Sequence, residues 1–454
     1  MVNNAQLIEG PIDRILVRMT IPMIVGILSM IAFNLTDTFF VGRLGTSELA
    51  AMSFTFPVIF IINSLTMGIG MGATAVISRA IGSGDHNRVR RLTTDSLGLA
   101  LLLVGILASI GLLTINPVFR ALGATGEILP LVKKYISIWY PGVIFVVIPM
   151  VGNSAIRATG DTRTPSLIML VAVTVNAILD PLLIFGIGPF PRLELEGAAI
   201  ATVTARATTM VVSLWVLIRR EHMITLIRPR LKQVLDSWRN VLYIGLPSAG
   251  TNMIIPLAIG IITRMVAGYG PPAVAALGVS TRIDPFALGV IFALGSALGP
   301  FVGQNYGARK IGRVWMALRH SHRFAFVWGL GMLSLIALAA QPIASVFSKD
   351  PEVVGTTVLY LRLVPIGYGM QGVLMLSNVT LNMLNKPLHA ASIVLIQMFV
   401  LYIPLALLGS ALFGLVGIFT AAATASLVAG VLAYVWVRRV LRLLSGPDCS
   451  EPGM

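Results

Sequence analysis

The sequence has few charged residues. Asp, Glu, Lys and Arg together make up 11% of its 454 residues, whereas ordinary soluble domains carry about 25%. Hydrophobic residues make up 56% of the chain, and the mean hydropathy is +0.89. This balance excludes a typical soluble domain and indicates an integral membrane protein.

Cysteine and enzyme motifs are also scarce or missing. The single cysteine, Cys449, has no second cysteine in the chain with which to form a disulfide. The sequence contains no G-x-S-x-G, H-E-x-x-H or Walker A motif and no paired-aspartate run of the kind that holds magnesium and diphosphate. The first apolar run is too long for a signal peptide. We therefore expect no enzyme activity, no cofactor and no nucleotide-driven pump.

The chain contains twelve long apolar runs. Each run reaches roughly the 20 residues that a helix needs to cross a 30 Å hydrocarbon core. An even number of spans would place both termini on the same side of the membrane. The twelve runs cover residues 16–42, 48–80, 94–116, 131–155, 165–188, 196–219, 240–267, 273–304, 322–348, 354–382, 388–410 and 414–438.

Basic residues predict the orientation of these spans. In the loops, tails and helix ends, 23 Lys and Arg fall on the side of the termini and six fall on the alternate loops. The positive-inside rule then predicts that both termini lie in the cytoplasm. We expect the protein itself to span the inner (plasma) membrane. This pattern also accounts for the net charge of +15, so we expect a lipid bilayer and no nucleic acid as the partner. The six basic residues on the alternate loops are Arg43, Arg120, Lys133, Lys134, Arg192 and Lys349.

The chain repeats itself after 225 residues. The register runs without a gap over two predicted helices and the loop between them, and six helices per repeat is an even number. The two lobes should therefore share one orientation and be related by a pseudo-twofold axis along the membrane normal, an architecture of secondary transporters. The matches include Pro22 with Pro247, Gly45 with Gly270, Gly82 with Gly307 and Arg88 with Arg313. We predict an N-terminal lobe over residues 1–220, a basic cytoplasmic linker over 221–239, a C-terminal lobe over 240–440 and a tail over 441–454.

Asp37 stands out because it lies inside the first apolar run. A carboxylate at the centre of a membrane helix costs about 2.5–3.5 kcal/mol on insertion scales, and function is the usual reason for it. Asn34 lies one turn earlier on the same helix face, and Pro22 can kink the helix near its start. The alternative is that Asp37 reaches water at the helix end.

A second carboxylate lies in the fifth run. Asn176 and Asp180 share one helix face, and Pro181 loosens the backbone bonding beside them. Under the repeat, Asp37 aligns with Ile262 and Asp180 aligns with Leu405, so only the N-terminal lobe should carry this polar site.

Further oxygens come from the neighbouring predicted helices, namely Thr202, Thr204 and Asn153. Carboxylate, amide and hydroxyl oxygens suit a proton or a small hard cation such as sodium. The alternatives are that Asp180 caps a neighbouring helix and that Thr202 bonds to its own helix.

Four arginines also lie within apolar runs. Long arginine side chains near helix ends usually reach the membrane interface. An arginine that faced the transport cleft could instead repel cations or hold an anionic substrate group. The four are Arg206, Arg264, Arg282 (two residues before Asp284) and Arg362.

Several stretches taken together resemble the multidrug and toxic compound extrusion (MATE) antiporters over nearly the whole chain. They are IPMIVGILSMIAFNLTDTFFVGRLG, AIGSGDHNRVRR, NSAIRATGDTRTP, NAILDPLLIFGIG and EGAAIATVTA. The resemblance implies twelve helices in two lobes and export of organic cations and drugs against entry of protons or sodium.

Within that family, the chain is similar to the DinF-like branch, in which the cation site lies in the N-terminal lobe. The resemblance assigns cation or proton binding, with sodium as the metal alternative, to the positions Asp37, Asn176, Asp180 and Thr202. It places Asn153 nearby and makes Pro22 the bending proline. The seventh and tenth helices carry no acidic residue inside the membrane, so the second-lobe cation site of the sodium-coupled branch is not expected here.

We therefore predict a monomeric secondary exporter of small cationic or amphiphilic drugs, working by alternating access. Two alternatives remain open at this point. One is a flippase for lipid-linked substrates from the same wider superfamily, and the other is a channel or receptor.

Overall fold

Long helices make up most of the structure. The computed structural model describes residues 7–225, 227 and 230–445. Within these residues all regular elements are helical, and twelve helices are long and apolar enough to cross a membrane. This confirms the prediction of an all-α membrane protein with twelve spans. Predictions for Arg228, for Cys449 and for the tail after residue 445 lie outside the described residues.

We number these twelve helices in chain order. They are α1 (Ile12–Gly42), α2 (Thr46–Gly82), α3 (His86–Leu113), α4 (Ile128–Ala158), α5 (Arg163–Phe185), α6 (Glu194–Arg220), α7 (Leu231–Ala267), α8 (Pro271–Gly307), α9 (Ile311–Phe347), α10 (Pro351–Met383), α11 (Pro387–Phe413) and α12 (Leu415–Ser445). A short helix, Ile115–Ala121, follows α3. We call the side of the membrane at which α1 ends the far face.

The helix boundaries follow the sequence repeat. Helices α2 and α8 both have 37 residues, and their first and last residues are offset by 225 positions. The last residues of α1 and α7 and the first residues of α3 and α9 show the same offset. The repeated glycines and prolines therefore mark equivalent helix ends in the two halves.

Packing divides the described chain into two compact units. Unit 1 contains Ile21–Ala249, and unit 2 contains Leu7–Thr20 and the described residues from Gly250 onward. Helices α1 and α7 therefore each begin in one unit and end in the other. Pro22 and Pro247 lie within a few residues of these two transitions, where a missing backbone donor makes bending easiest. The predicted boundaries at residues 220 and 240 stay a prediction.

Small residues hold the helices of unit 1 close to α4. A Cβ atom added at Gly142 of α4 would come within 2.3 Å of the Val203 side chain of α6. A Cβ added at Gly70 of α2 would lie 2.7 Å from Oγ of Ser154, again on α4. Small residues at such contacts let membrane helices approach one another closely. Helix α4 is therefore the packing centre of unit 1.

The N-terminus of α5 is anchored by Asp161. Its Oδ1 accepts hydrogen bonds from the backbone N–H groups of Arg163 (2.9 Å) and Thr164 (3.1 Å). Arg220, at the end of α6, forms an ion pair with Asp161 at 3.1 Å and donates to Oγ1 of Thr164 at 2.8 Å. These bonds satisfy donors that the first helical turn leaves unpaired. They set the position of the helix that carries Asn176 and Asp180.

Unit 2 repeats this packing around α10, but with irregular helices. Helix α10 contains a 3₁₀ turn at Val364–Gly367, and α11 contains a π-helical segment at Ile396–Tyr402. The corresponding helices of unit 1, α4 and α5, are α-helical from end to end. The repeat is thus preserved in helix order and broken in backbone regularity.

The crossing of α9 and α10 gives a test of this packing. A Cβ at Gly329 would lie 2.3 Å from the backbone of Gly369, whereas nothing lies within 4 Å of a Cβ at Gly331. We expect Gly329→Val to lower the free energy of unfolding by about 1–3 kcal/mol, the usual cost of overpacking. Gly331→Val, on the same helix, is the control. Thermal unfolding in one detergent measures the difference, and equal midpoints would contradict this account.

Candidate functional site

The two intramembrane carboxylates lie near the far face, on helices that pack side by side. Asp37 is five residues before the end of α1, and Asp180 is five residues before the end of α5. At the far end of this pair of helices, the rings of Phe40 and Phe185 meet edge to face with centroids 6.3 Å apart. Near their other end, Ser166 Oγ of α5 would lie 3.1 Å from a Cβ at Gly26 of α1. The parallel packing brings both carboxylates to one level of unit 1.

Both carboxylates are buried. Asp180 is 0% exposed and Asp37 is 6% exposed. The side-chain amide of Asn176 donates to Oδ1 of Asp180 at 3.0 Å, which confirms that these two residues share a helix face. Asp37 and Asp180 lie close enough to interact electrostatically. The structure therefore brings three of the predicted site residues together.

Four buried oxygen atoms in this region lack a hydrogen-bond partner among the described residues. They are Oδ1 of Asp37, Oδ2 of Asp180, Oδ1 of Asn176 and Oγ1 of Thr202. An unsatisfied buried polar group costs about 1–3 kcal/mol, so these atoms favour a species that would satisfy them. Three of the four can only accept hydrogen bonds or coordinate, which suits a proton or a hard cation. The alternative in which Thr202 bonds to its own helix is not the arrangement in the structure.

Two further residues belong to this site and were not predicted to. Tyr135 of α4 is 2% exposed and lies within electrostatic range of both carboxylates. Arg206 of α6 places its guanidinium carbon 4.5 Å from the ring centroid of Phe33, one turn before Asp37, and interacts electrostatically with Asp37 and Tyr135. The sequence already marked Arg206 as an arginine within an apolar run. Its position four residues after Thr202 was a second signal, because residues four apart share a helix face.

The position of Arg206 changes the charge balance of the site. Two ionised carboxylates alone would carry two negative charges, and the fixed guanidinium compensates one of them, since arginine stays protonated in proteins. A single monovalent cation would then neutralise the site. The geometry therefore fits one proton or one sodium ion better than a divalent metal.

Other predicted residues lie elsewhere. Asn153 is buried, but it follows Tyr135 by 18 residues on α4, which is about 27 Å along the helix. Pro22 lies about 22 Å along α1 from Asp37 by the same measure. Asn34 and Thr204 are exposed. None of these four side chains joins the carboxylates.

The remaining intramembrane arginines lie in unit 2. Arg264, Arg282 and Arg362 are exposed, and none of them forms an ion pair in the part of the chain that the structure describes. They differ from Arg206, which is packed into the site of unit 1.

Comparisons with known proteins agree with this architecture. A family model described as MatE matches residues 22–182 and again residues 247–408, so the two matches begin 225 residues apart, as the repeat does. The chain is 40% identical over 434 residues to a protein named FAD transporter from Shewanella oneidensis, with 96% of each chain covered. It is 25% identical over 418 residues to the multidrug export protein MepA of Staphylococcus aureus, with 90% of each covered. The solved structure of the Vibrio cholerae MATE transporter VcmN in its bent form superposes with a TM-score of 0.91 at 29% identity, covering 95% of this chain and 98% of that one.

Substituting Thr202 separates a structural role from a binding role. Thr202→Val removes a hydroxyl that has no hydrogen-bond partner within the described residues, so we expect unchanged or slightly higher thermal stability together with weaker cation binding. Thr209→Val is the matched control on α6, because Oγ1 of Thr209 donates to the carbonyl of Arg206 at 2.7 Å. That control should lose stability and keep the cation affinity. Loss of stability with unaltered binding in Thr202→Val would refute the assignment.

Substituting Arg206 tests the charge balance. Arg206→Gln leaves two carboxylates without their fixed counter-charge, so we expect the site to retain a monovalent cation at least about tenfold more tightly, equivalent to about 1.4 kcal/mol. Binding of radiolabelled sodium and proton uptake by the purified protein measure this. Arg264→Gln, at an exposed position, is the control, and equal affinities in the two variants would show that Arg206 does not act on the site.

Proposed function

The chain belongs to the MatE family of membrane transporters, and we propose that it is an ion-coupled exporter whose coupling ion binds at Asp37 and Asp180. The observation that carries this proposal is the group of four buried oxygens without hydrogen-bond partners in the described part of unit 1. The ion would be a proton, or a sodium ion held by Asp37, Asn176, Asp180 and Thr202. No cofactor is part of the proposal.

The coupling mechanism follows from the neutralisation of this site. Binding of the ion from outside the cell removes the net negative charge and with it the cost of holding that charge at membrane depth. Helix α1 then bends near Pro22, and this movement releases the substrate. Because α1 begins in unit 2 and ends in unit 1, one continuous helix carries the change at Asp37 to both units. The ion leaves to the cytoplasm after the lobes rock, and the cycle repeats by alternating access.

Flavin adenine dinucleotide is the substrate that we propose first. The likeness to the FAD transporter extends over 96% of both chains at 40% identity, well above the 25% identity to the multidrug protein. The dinucleotide carries a negatively charged diphosphate, which arginine recognises well. Arg282 and Arg362 are exposed arginines within the apolar helices α8 and α10 and supply such charges at membrane depth.

Small cationic or amphiphilic drugs are the second candidate. The likeness to MepA favours them, and so do the buried carboxylates of unit 1, which attract cations. We further propose that the protein works as a monomer in the inner (plasma) membrane with both termini in the cytoplasm. The excess of basic residues on the side of the termini supports this orientation.

Transport by proteoliposomes tests ion coupling and substrate together. Vesicles loaded with either flavin adenine dinucleotide or a cationic dye are given a pH gradient or a sodium gradient, one at a time. We expect efflux of the dinucleotide under one of the two gradients and complete loss of that efflux in Asp37→Asn. Efflux of the dye alone would replace the first substrate with the second.

Thr38→Val is the control for this experiment. Thr38 is the exposed neighbour of Asp37, and its hydroxyl bonds to the carbonyl of Asn34 on its own helix at 2.8 Å, so transport should persist in this variant. Wild-type efflux in a folded Asp37→Asn protein would overturn the proposed coupling site.

A further inference from the structure

Unit 2 contains a carboxylate that the proposed coupling site does not use. Asp284 of α8 is held by two tyrosines of α10. The hydroxyl of Tyr360 donates to Oδ2 at 2.8 Å, and the hydroxyl of Tyr368 donates to Oδ1 at 2.5 Å. Tyr360 and Tyr368 are 6% and 3% exposed, while Asp284 itself is half-buried. Both oxygens of the carboxylate are thus hydrogen-bonded, and the residue as a whole keeps part of its surface exposed.

In the part of the chain that the structure describes, no counter-charge accompanies Asp284. It lies 13 residues into α8, about 20 Å along the helix from its start, where an ionised carboxylate is costly. Two neutral hydroxyls stabilise the ionised carboxylate but do not cancel its charge. Within the described residues Asp284 has no ion pair, and Arg282 is exposed and lies on a different face of α8.

The described residues of α9, α10 and α11 bring no ion-pair partner to this carboxylate. Tyr402 of α11 lies in its electrostatic field. Helix α9 has no ionisable side chain between Phe324 and Phe347. On α10, Arg362 is exposed and lies two residues beyond Tyr360, on a different helix face. Among the described residues, the ionisable groups found next to Asp284 are therefore Tyr360, Tyr368 and Tyr402.

The irregular backbone of unit 2 converges on this cluster. The 3₁₀ turn Val364–Gly367 lies between the two tyrosines that bind Asp284, and the π-helical segment of α11 ends at Tyr402. Short 3₁₀ and π segments inside helices often mark functional hinges. The corresponding helices of unit 1 have no such interruption, and the repeat aligns Asp284 with Ile59. Carboxylate and interruptions thus occur together in unit 2.

We propose that Asp284 is a second proton-binding site, located in unit 2, with Tyr360 and Tyr368 as its hydrogen-bond partners. A proton taken up from water converts the carboxylate into a neutral carboxylic acid and removes the uncompensated charge. One tyrosine hydroxyl then changes from donating to accepting, which a rotatable hydroxyl allows. The two tyrosines lie on either side of the 3₁₀ turn of α10. Because only one of their hydroxyls changes its hydrogen bond, proton uptake alters the hydrogen bonding on one side of the turn.

A proton fits this cluster better than sodium does. The cluster offers four oxygens, two of them on the carboxylate and two on tyrosines that also bond to it. Both carboxylate oxygens of Asp284 already accept a hydrogen bond, so a sodium ion would have to replace these bonds, whereas the four oxygens of the unit 1 site lack partners within the described residues. A proton binds to one carboxylate oxygen and needs no coordination shell. This site is separate from Asp37 and Asp180, so the proposal does not depend on the proposed function of that pair.

Infrared difference spectroscopy of the purified full-length protein tests the proposal. A change of pH should produce the C=O band of a newly protonated carboxylic acid, and Asp284→Asn should lose one such band while Asp37→Asn keeps it. Tyr360→Phe and Tyr368→Phe retain the carboxyl group and should shift that band to higher frequency, because the group makes one hydrogen bond fewer. These two variants also cover the case in which Asp284→Asn fails to fold.

The outcomes separate the two sites. Loss of a band in Asp37→Asn would assign that band to the carboxyl group of Asp37. Loss of a different band in Asp284→Asn would assign the second band to Asp284 and support the second proton-binding site. A spectrum of Asp284→Asn identical to wild type, together with unshifted bands in both tyrosine variants, would overturn the proposal. Binding of radiolabelled sodium that disappears in Asp284→Asn would also overturn it, by making the ligand a metal ion.

Discussion

The placement of negative charge in an apolar interior is the constraint on which the rest of this structure depends. A membrane helix pays for a buried carboxylate unless a proton, a cation or hydrogen-bond donors compensate it. Unit 1 compensates part of the charge with Arg206 and one hydrogen bond from Asn176, and it leaves four oxygens unsatisfied within the described residues. Unit 2 compensates with tyrosine hydroxyls around Asp284. In unit 1 the remaining negative charge would be neutralised by a proton or a monovalent cation, and in unit 2 by a proton.

The two units share one order of helices, but their intramembrane carboxylates lie at different positions of the repeat. The helix ends keep the 225-residue offset of the sequence, and small residues let helices pack closely in both units. The carboxylates do not follow the repeat, because Asp37 aligns with Ile262 and Asp284 with Ile59. Helix order depends on apolar length and small residues, which both halves retained. A charged site depends on single residues, which each half could change without loss of the fold.

Helices α1 and α7 are each divided between the two units. Each begins in one unit and ends in the other, with a proline close to the transition. Asp37 lies on the unit 1 part of α1, and the first residues of the same helix belong to unit 2. The residues before α1 are held in unit 2, because Arg313 and Asn305 donate to the backbone carbonyls of Leu7 and Gly10.

By itself the sequence determined the twelve spans and the repeat, and it predicted a site at Asp37, Asn176 and Asp180, which the structure brings together. These depend on apolar length, fixed spacing and residues one helical turn apart, all of which are properties of one chain read in order. Only the tertiary structure decided that Tyr135 and Arg206 join the carboxylates, that Asn153 does not, and that Tyr360 and Tyr368 both hold Asp284. These outcomes depend on which helices pack together, at what rotation and at what depth, and no spacing along a single helix carries that information.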